Sequence, residues 1–240
     1  MKKSTEMHEM EKTIGEFVAE DYRIAAVFER YGIDFCCGGQ VTLGAACQEK
    51  GLDPAKVLQE IEAAKSEPIQ RSQNYATWEL PFLADYIVNT HHAYLYEEME
   101  QIAGYTRKIA EVHGDNHPEV IEIAAIFAKV SADMMAHLRE EEEVFFPAIK
   151  RMVAAQKAGT APAAQDRAII KAALQALQRE HDEIGAAVHR IRDLAKDYAI
   201  PEGVCNTFVV TYKKLQEFED ELHKHVHLEN NILFLKAAQL

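Results

Sequence analysis

The chain has 240 residues, of which 48% are hydrophobic and 27% charged, an ordinary globular composition for one large domain or two of common size. Its formal net charge of −13 comes with no basic patch, which argues against a nucleic-acid partner. No apolar run approaches the roughly 18 residues of a membrane span, the polar N-terminus lacks the apolar core of a secretory signal, and the four Cys are too few for a disulfide framework, so a reducing cytoplasm is the expected compartment.

In chain order, residues 13–65 read as a small helical unit. Ile14, Phe17, Val18, Ile24, Ala25, Val27 and Phe28 space as one or two short helices, stopped by Gly32. A loop, Asp34-Phe-Cys-Cys-Gly-Gly39, follows. Thr42 can cap the next helix, and Pro54 suits the first turn of another over 55–64. The polar, proline-containing stretch 66–78 reads as a linker, so the expected division is a domain over 1–65, a linker over 66–78 and a second domain over 79–240.

That second domain shows apolar periodicity near 3.6 over roughly 79–112, 118–156, 165–198 and 204–238, with breaks at Gly114 to Pro118, Gly159 to Pro162 and Pro201 to Gly203. The expected class is all-α, an up-down-up-down four-helix bundle preceded by the small helical domain. Pro147 should kink the second segment or end its straight part.

Histidines fall on the inward stripes of this bundle. In the second segment Val130, Met134, His137, Glu141, Val144 and Phe145 step by three or four; in the fourth, Phe218, Leu222, His225, Glu229, Ile232 and Leu233 do the same. His181 shares a stripe with Leu177 and Ile184, and His91 with Ile87 and Leu95. His91 and His181 are 90 residues apart, His137 and His225 88, so the chain reads as two similar hairpins, His91/His137/Glu141 and His181/His225/Glu229.

A single His-x-x-x-Glu is ordinarily an exposed ion pair. Two of them on apolar stripes are another matter, because burying carboxylates without a cation costs several kcal/mol per ion. Four imidazoles and two carboxylates suit iron, manganese or zinc, and are too many ligands for one tetrahedral zinc. They fit two metals, each with two His and both Glu bridging, plus an oxo or hydroxo bridge and one open position per metal. Of the run 140–143 only Glu141 has the register of His137. His113 lies too far along its helix for the same cluster, and suits access control or a helix C-cap; His92, His117, His189, His223 and His227 read as exposed or as partners of the ligands.

The stretches His137-Leu-Arg-Glu-Glu141-Glu-Glu-Val-Phe-Phe-Pro147, Glu180-His-Asp-Glu183 and His225-Val-His-Leu-Glu229-Asn-Asn-Ile-Leu-Phe234 resemble the haemerythrin-like domains. With Asp34-Phe-Cys-Cys-Gly-Gly39, residues 13–238 resemble the di-iron proteins for repair of iron centres. The resemblance implies two non-haem irons held by the six named residues. It also implies a role in restoring damaged iron–sulfur proteins by iron donation, or in reducing nitric oxide to nitrous oxide with electrons from an unidentified donor. A haemerythrin-like carrier or sensor of dioxygen or nitric oxide is the alternative. Leu235 stands where that family often has Pro, which should affect only the helix end.

Cys36 and Cys37 form the other candidate site. A Gly-rich loop beside a helix start should lower a thiol pKa, and a strained vicinal disulfide would switch easily. The resemblance implies a redox or iron-relay role for the pair. Cys47 and Cys205 read as structural.

Overall fold

Every regular element among the described residues of the computed structural model, residues 8–66 and 74–240, is helical, with one isolated antiparallel bridge between Thr13 and Thr42. Most of the expected linker lies outside the described residues. Two units emerge: one takes the described residues up to Leu83 together with Val226–Gln239, the other Ala84–His225.

The first unit is set by its caps. Thr13 and Glu16 form a reciprocal capping box at the start of α1 (Ile14–Glu20). The short α2 (Ala25–Arg30) ends two residues before Gly32, which takes the left-handed φ of 63°. Thr42 caps α3 (Leu43–Lys50), while Asp53 and Pro54 start α4 (Pro54–Ala64). Phe17 meets Phe28 edge to face at 6.0 Å, and both are buried with Ile14, Ile24, Leu43, Val57 and Ile61.

The chain's C-terminal stretch completes this unit. Asn231 Nδ2 donates to the Phe35 carbonyl at 2.9 Å, and Asn230 Nδ2 donates to that of Cys36 at 3.3 Å. Gly15 and Gly39 close on Asn231 from both sides: a Cβ at either would collide with its Oδ1, and one at Gly15 would also lie 2.9 Å from the Gly39 carbonyl. Only glycine allows that approach.

The long segments lie mainly in the second unit and, but for one, are interrupted by π turns; residues 80–83 and Val226–Gln239 belong to the first unit. The first runs through α5 (Leu80–Tyr86), a π turn at Ile87–His92, and α6 (Ala93–His113). The second comprises α7 (Glu119–Glu140), a π turn at Glu141–Phe145, and α8 (Phe146–Lys157). The third, α9 (Ala164–Leu194), is uninterrupted; the fourth is α10 (Asn206–Leu228), followed by a π turn at Glu229–Leu233 and α11 (Phe234–Ala237). Met99, Phe127, Val130, Met134, Leu177 and Phe218 line the buried faces, with Phe127 and Phe218 at 5.2 Å. Pro147 falls in the first turn of α8, just past a π turn, so the run bulges rather than stops there.

Candidate metal centre

The side chains that gather in the second unit come from all of its long helical runs. His91 and His92 end the first π turn, His137 lies in the last turn of α7, Glu141 opens the second π turn, His181 sits midway along α9 and His225 near the end of α10. None is more than 4% exposed. The register that made His137 and Glu141 candidates is therefore real. π turns concentrate at functional positions because the extra residue re-aims side chains that an α-helix would spread around its circumference.

Two donor groups share Glu141. In one, His137 Nε2 stands 2.9 Å from His181 Nε2 and 3.4 Å from Glu141 Oε2. In the other, His92 Nε2 stands 3.2 Å from His225 Nε2 and 3.4 Å from Glu141 Oε2, with His225 Nε2 at 4.0 Å from the same oxygen. His137 and His181 come from different sequence hairpins, so the pairing crosses the hairpins instead of following them. Two nitrogens bound at right angles about 2.1 Å from one ion lie about 3.0 Å apart, close to both nitrogen–nitrogen spacings.

The outer partners are equally specific. Nδ1 of His137 meets Glu180 at 2.9 Å, that of His91 meets Glu221 at 2.6 Å and that of His92 meets Glu142 at 2.8 Å. A carboxylate on Nδ1 fixes the tautomer that leaves Nε2 as the metal donor. The hydrogen bond from His137 holds Glu180 below the ordinary carboxylate range. Burial, the largest single effect, pushes Glu221 upward, but the hydrogen bond from His91 and the charges of His91, Lys224 and His225 together leave the group below its ordinary value. His91 Nε2 is buried with no hydrogen-bond partner, but His91 stands in neither donor group; its neighbour His92 does. The residues present thus fit a metal: buried imidazoles oriented by outer carboxylates, with a buried carboxylate common to both groups.

Glu229 is fully buried at the first position of the last π turn, one helical turn after His225 along the chain, and is counted with the first unit. The sequence reading of His92 as exposed or as a partner of the ligands missed its place in a donor group: it is wholly buried; His223 and His227 are buried too, while His117 and His189 are half-buried. His189, Glu219 and His223 form a smaller cluster in which Arg192 and Tyr198 both donate to Glu219 Oε2. His113 is not in the centre: it ends α6, and its Nε2 meets Cys205 Sγ at 3.1 Å. Cys205 is exposed, not structural, and its hydrogen bond with His113, helped by those from the helix-start amides of Thr207 and Phe208, draws its thiol down to about 7.

Cys36 and Cys37 group with Asp34 in the first unit. Their Sγ atoms are 3.9 Å apart, an open dithiol, and Cys36 Sγ lies 3.2 Å from Asp34 Oδ1. The bond between the two thiols and burial push Cys36 well above its ordinary range, opposite to the lowering expected from a helix start. The loop's amides are indeed turned inward, but Cys36 N and Cys37 N both donate to Asp34 Oδ1, at 2.9 and 3.0 Å, which spends them on a carboxylate.

Fold and donor set together define a cation-binding helical bundle of the haemerythrin type. The family described as Hemerythrin HHE cation binding domain matches residues 83–237, and that described as Domain of Unknown function (DUF542) matches 10–65. The iron–sulfur cluster repair protein ScdA of Staphylococcus haemolyticus is 30% identical over 228 residues, covering 95% of this chain and 98% of the relative. The iron–sulfur cluster repair protein YtfE of Yersinia pseudotuberculosis is 28% identical over 228 residues, covering 95% and 97%. The chain belongs to the family of these iron–sulfur cluster repair proteins.

Proposed function

We propose that this protein restores damaged iron–sulfur clusters, holding two non-haem irons at His92, His137, Glu141, His181, His225 and Glu229, with His92 in the place expected of His91. Buried imidazole pairs at 2.9 and 3.2 Å around one carboxylate carry the reading. Glu229 is included on its register with His225, as the second bridging carboxylate. Two ferrous ions held there would supply labile iron and electrons. An oxo or hydroxo bridge would complete the set.

Iron donation is the favoured route. Lys129, Asp133, His137, Glu140, Glu180 and Glu183 line a solvent-open cleft that reaches a ligand histidine, and its four carboxylates favour passage of a cation. Within it Glu180 orients the His137 ring, and a change in that hydrogen bond would weaken the hold of Nε2 on a metal. Cys36 and Cys37 are assigned the relay or redox step towards the client. The alternative, coupling two nitric oxide molecules to nitrous oxide, rests on the shared Glu141, which would hold two ions side by side; it consumes two electrons from an external donor and two protons.

The test is metal analysis with Mössbauer spectroscopy, then anaerobic incubation of the ferrous protein with an oxidatively damaged [4Fe–4S] hydratase. About two coupled irons per chain and recovery of hydratase activity are expected. Recovery should slow with Asp133→Asn/Glu183→Gln and fail with Cys36→Ala/Cys37→Ala. No recovery, alongside nitrous oxide release from the reduced protein, would favour the coupling route instead.

A further inference from the structure

We infer that His189, Glu219 and His223 form a separate binding site for a divalent metal ion, an exchangeable position beside the centre. The inference goes beyond the proposed function and stands whatever number of irons the centre holds.

The three residues belong to the second unit, with His189 on α9 and both Glu219 and His223 on α10. Glu219 and His223 are four apart, so one turn of α10 presents both on one face. One donor atom from each residue lies within 4.8 Å of the others, and the two imidazole rings stand 5.7 Å apart. His223 Nε2 is 3.8 Å from Glu219 Oε1. That falls between the spacing of ligands at right angles around one ion, about 3.0 Å, and of opposed ligands, about 4.2 Å. None of the three belongs to either donor group of the centre. With a rise of about 1.5 Å per residue, His189 lies about 12 Å along α9 from His181, and Glu219 about 9 Å along α10 from His225.

The carboxylate carries the inference. Arg192 and Tyr198 both donate to Oε2, at 2.9 and 2.7 Å, which fixes the plane of the group. Oε1, on the His223 side, is buried without a hydrogen-bond donor. A buried anionic oxygen without a donor is costly, and a cation shared with two imidazoles removes that cost. One carboxylate oxygen is held by outer partners and the other is offered, as in metal sites whose ligands are oriented from behind. Arg192 opposes a second cation, but its charge is shared with Asp197 and Asp220. Two imidazoles and one carboxylate, with further positions open, suit ferrous iron and also zinc. His189 is half-buried, so an ion can exchange with solvent on that side.

The competing explanation is a core network in which Glu219 pairs with Arg192 and a water satisfies Oε1. In such a network the half-buried His189 is dispensable and no ion binds.

The test titrates Zn(II), which binds such ligands without redox chemistry, into the full chain already loaded anaerobically with iron. Zinc bound and iron retained are counted for wild type, His189→Ala and Glu219→Gln, and zinc-edge X-ray absorption reports the ligand atoms. Wild type should keep its iron and bind zinc through nitrogen and oxygen at about 2.0 to 2.1 Å, two imidazoles among them. Both variants should bind that zinc at least about tenfold more weakly. Zinc at Cys36 and Cys37 would instead show sulfur at about 2.3 Å and persist in His189→Ala. Wild type with no zinc or with zinc on sulfur alone would overturn the inference, as would wild-type affinity at the nitrogen site in His189→Ala. Circular dichroism checks folding; if Glu219→Gln unfolds, His189→Ala decides alone, because its half-buried ring carries less of the core. A chain that holds no iron sinks the reading of the centre instead. Zinc lost in His189→Ala then still supports this site, and zinc unchanged there overturns it.

Discussion

At the residue scale, the contrast between His137 and His92 marks what a sequence pattern can carry. His137 and Glu141 were legible because a four-residue step on an apolar stripe means one turn and one face. His92 was not, because a neighbour of His91 points elsewhere on any straight α-helix, and nothing in Ile87-Val-Asn-Thr-His-His92 announces a π turn. Cys36 misled for a related reason: the helix-start argument was sound, but Asp34 takes the amides and burial does the rest. Cys205, passed over, is the thiol that its surroundings do activate. Its alkylation rate by iodoacetamide should rise through pH about 7 as the thiolate forms. In His113→Ala the midpoint should move up towards 9, the ordinary thiol value, because the largest cause of the lowering is gone. An unchanged midpoint would show that the helix-start amides act alone.

At the scale of elements, the bundle segments were readable almost to their ends, and the caps Thr42 and Asp53 to Pro54 lie where turn chemistry puts them. The π turns were not readable. Proline cannot be their sole cause, since Glu141–Phe145 precedes Pro147 whereas Glu229–Leu233 precedes Leu235. The turn recurs with the His-x-x-x-Glu unit in both hairpins, and α9 has none, so the duplication holds for α7 and α10 better than for the other pair.

A second element-level feature lies beyond α9. Lys196, Asp197 and Tyr198 are all left-handed, with φ of 51°, 55° and 58°, a costly run without glycine. The Tyr198 hydroxyl, donating to the wholly buried Glu219 at 2.7 Å beside Arg192, helps to hold it. Burial raises the pKa of Glu219. Arg192→Ala should cost about 2 kcal/mol in urea unfolding at pH 8, less than a fully buried pair because Arg192 is 35% exposed. The loss should shrink as the pH falls, since a protonated Glu219 no longer needs the guanidinium. A deficit that is constant with pH would mean packing, not charge.

At the scale of the whole molecule, the acidic composition gains a purpose in the buried and half-buried carboxylates around the imidazoles. If metal is what balances them, its removal should be felt globally. Stripping iron with a chelator under anaerobic conditions should lower Tm by about 10 °C, the size expected when a ligand present about a thousandfold above its Kd is withdrawn from a domain of this length. Added ferrous iron should restore it. In the first unit, Gly39→Ala forces a Cβ against Asn231 and within 3.0 Å of the Phe35 carbonyl, and should cost about 2 kcal/mol of stability. Hydrogen exchange concentrated in the loop 34–39 would locate that cost; uniform exchange would argue against it. Sequence alone suggested a unit closed at residue 65, because contacts made by a segment far along the chain leave no local periodicity.

The clamp on that loop also sets an order of events during synthesis. Asn230 and Asn231 hold the carbonyls of Phe35 and Cys36, yet they leave the ribosome only after all of Ala84–His225 has been made. The nascent cysteine pair must therefore wait, without its native clasp, while the histidine-bearing segments emerge and fold. Such long-range closure is slow compared with helix formation. The thiols are thus fastened only after nearly every residue of the metal centre exists, so the part of the chain made first is the part finished last.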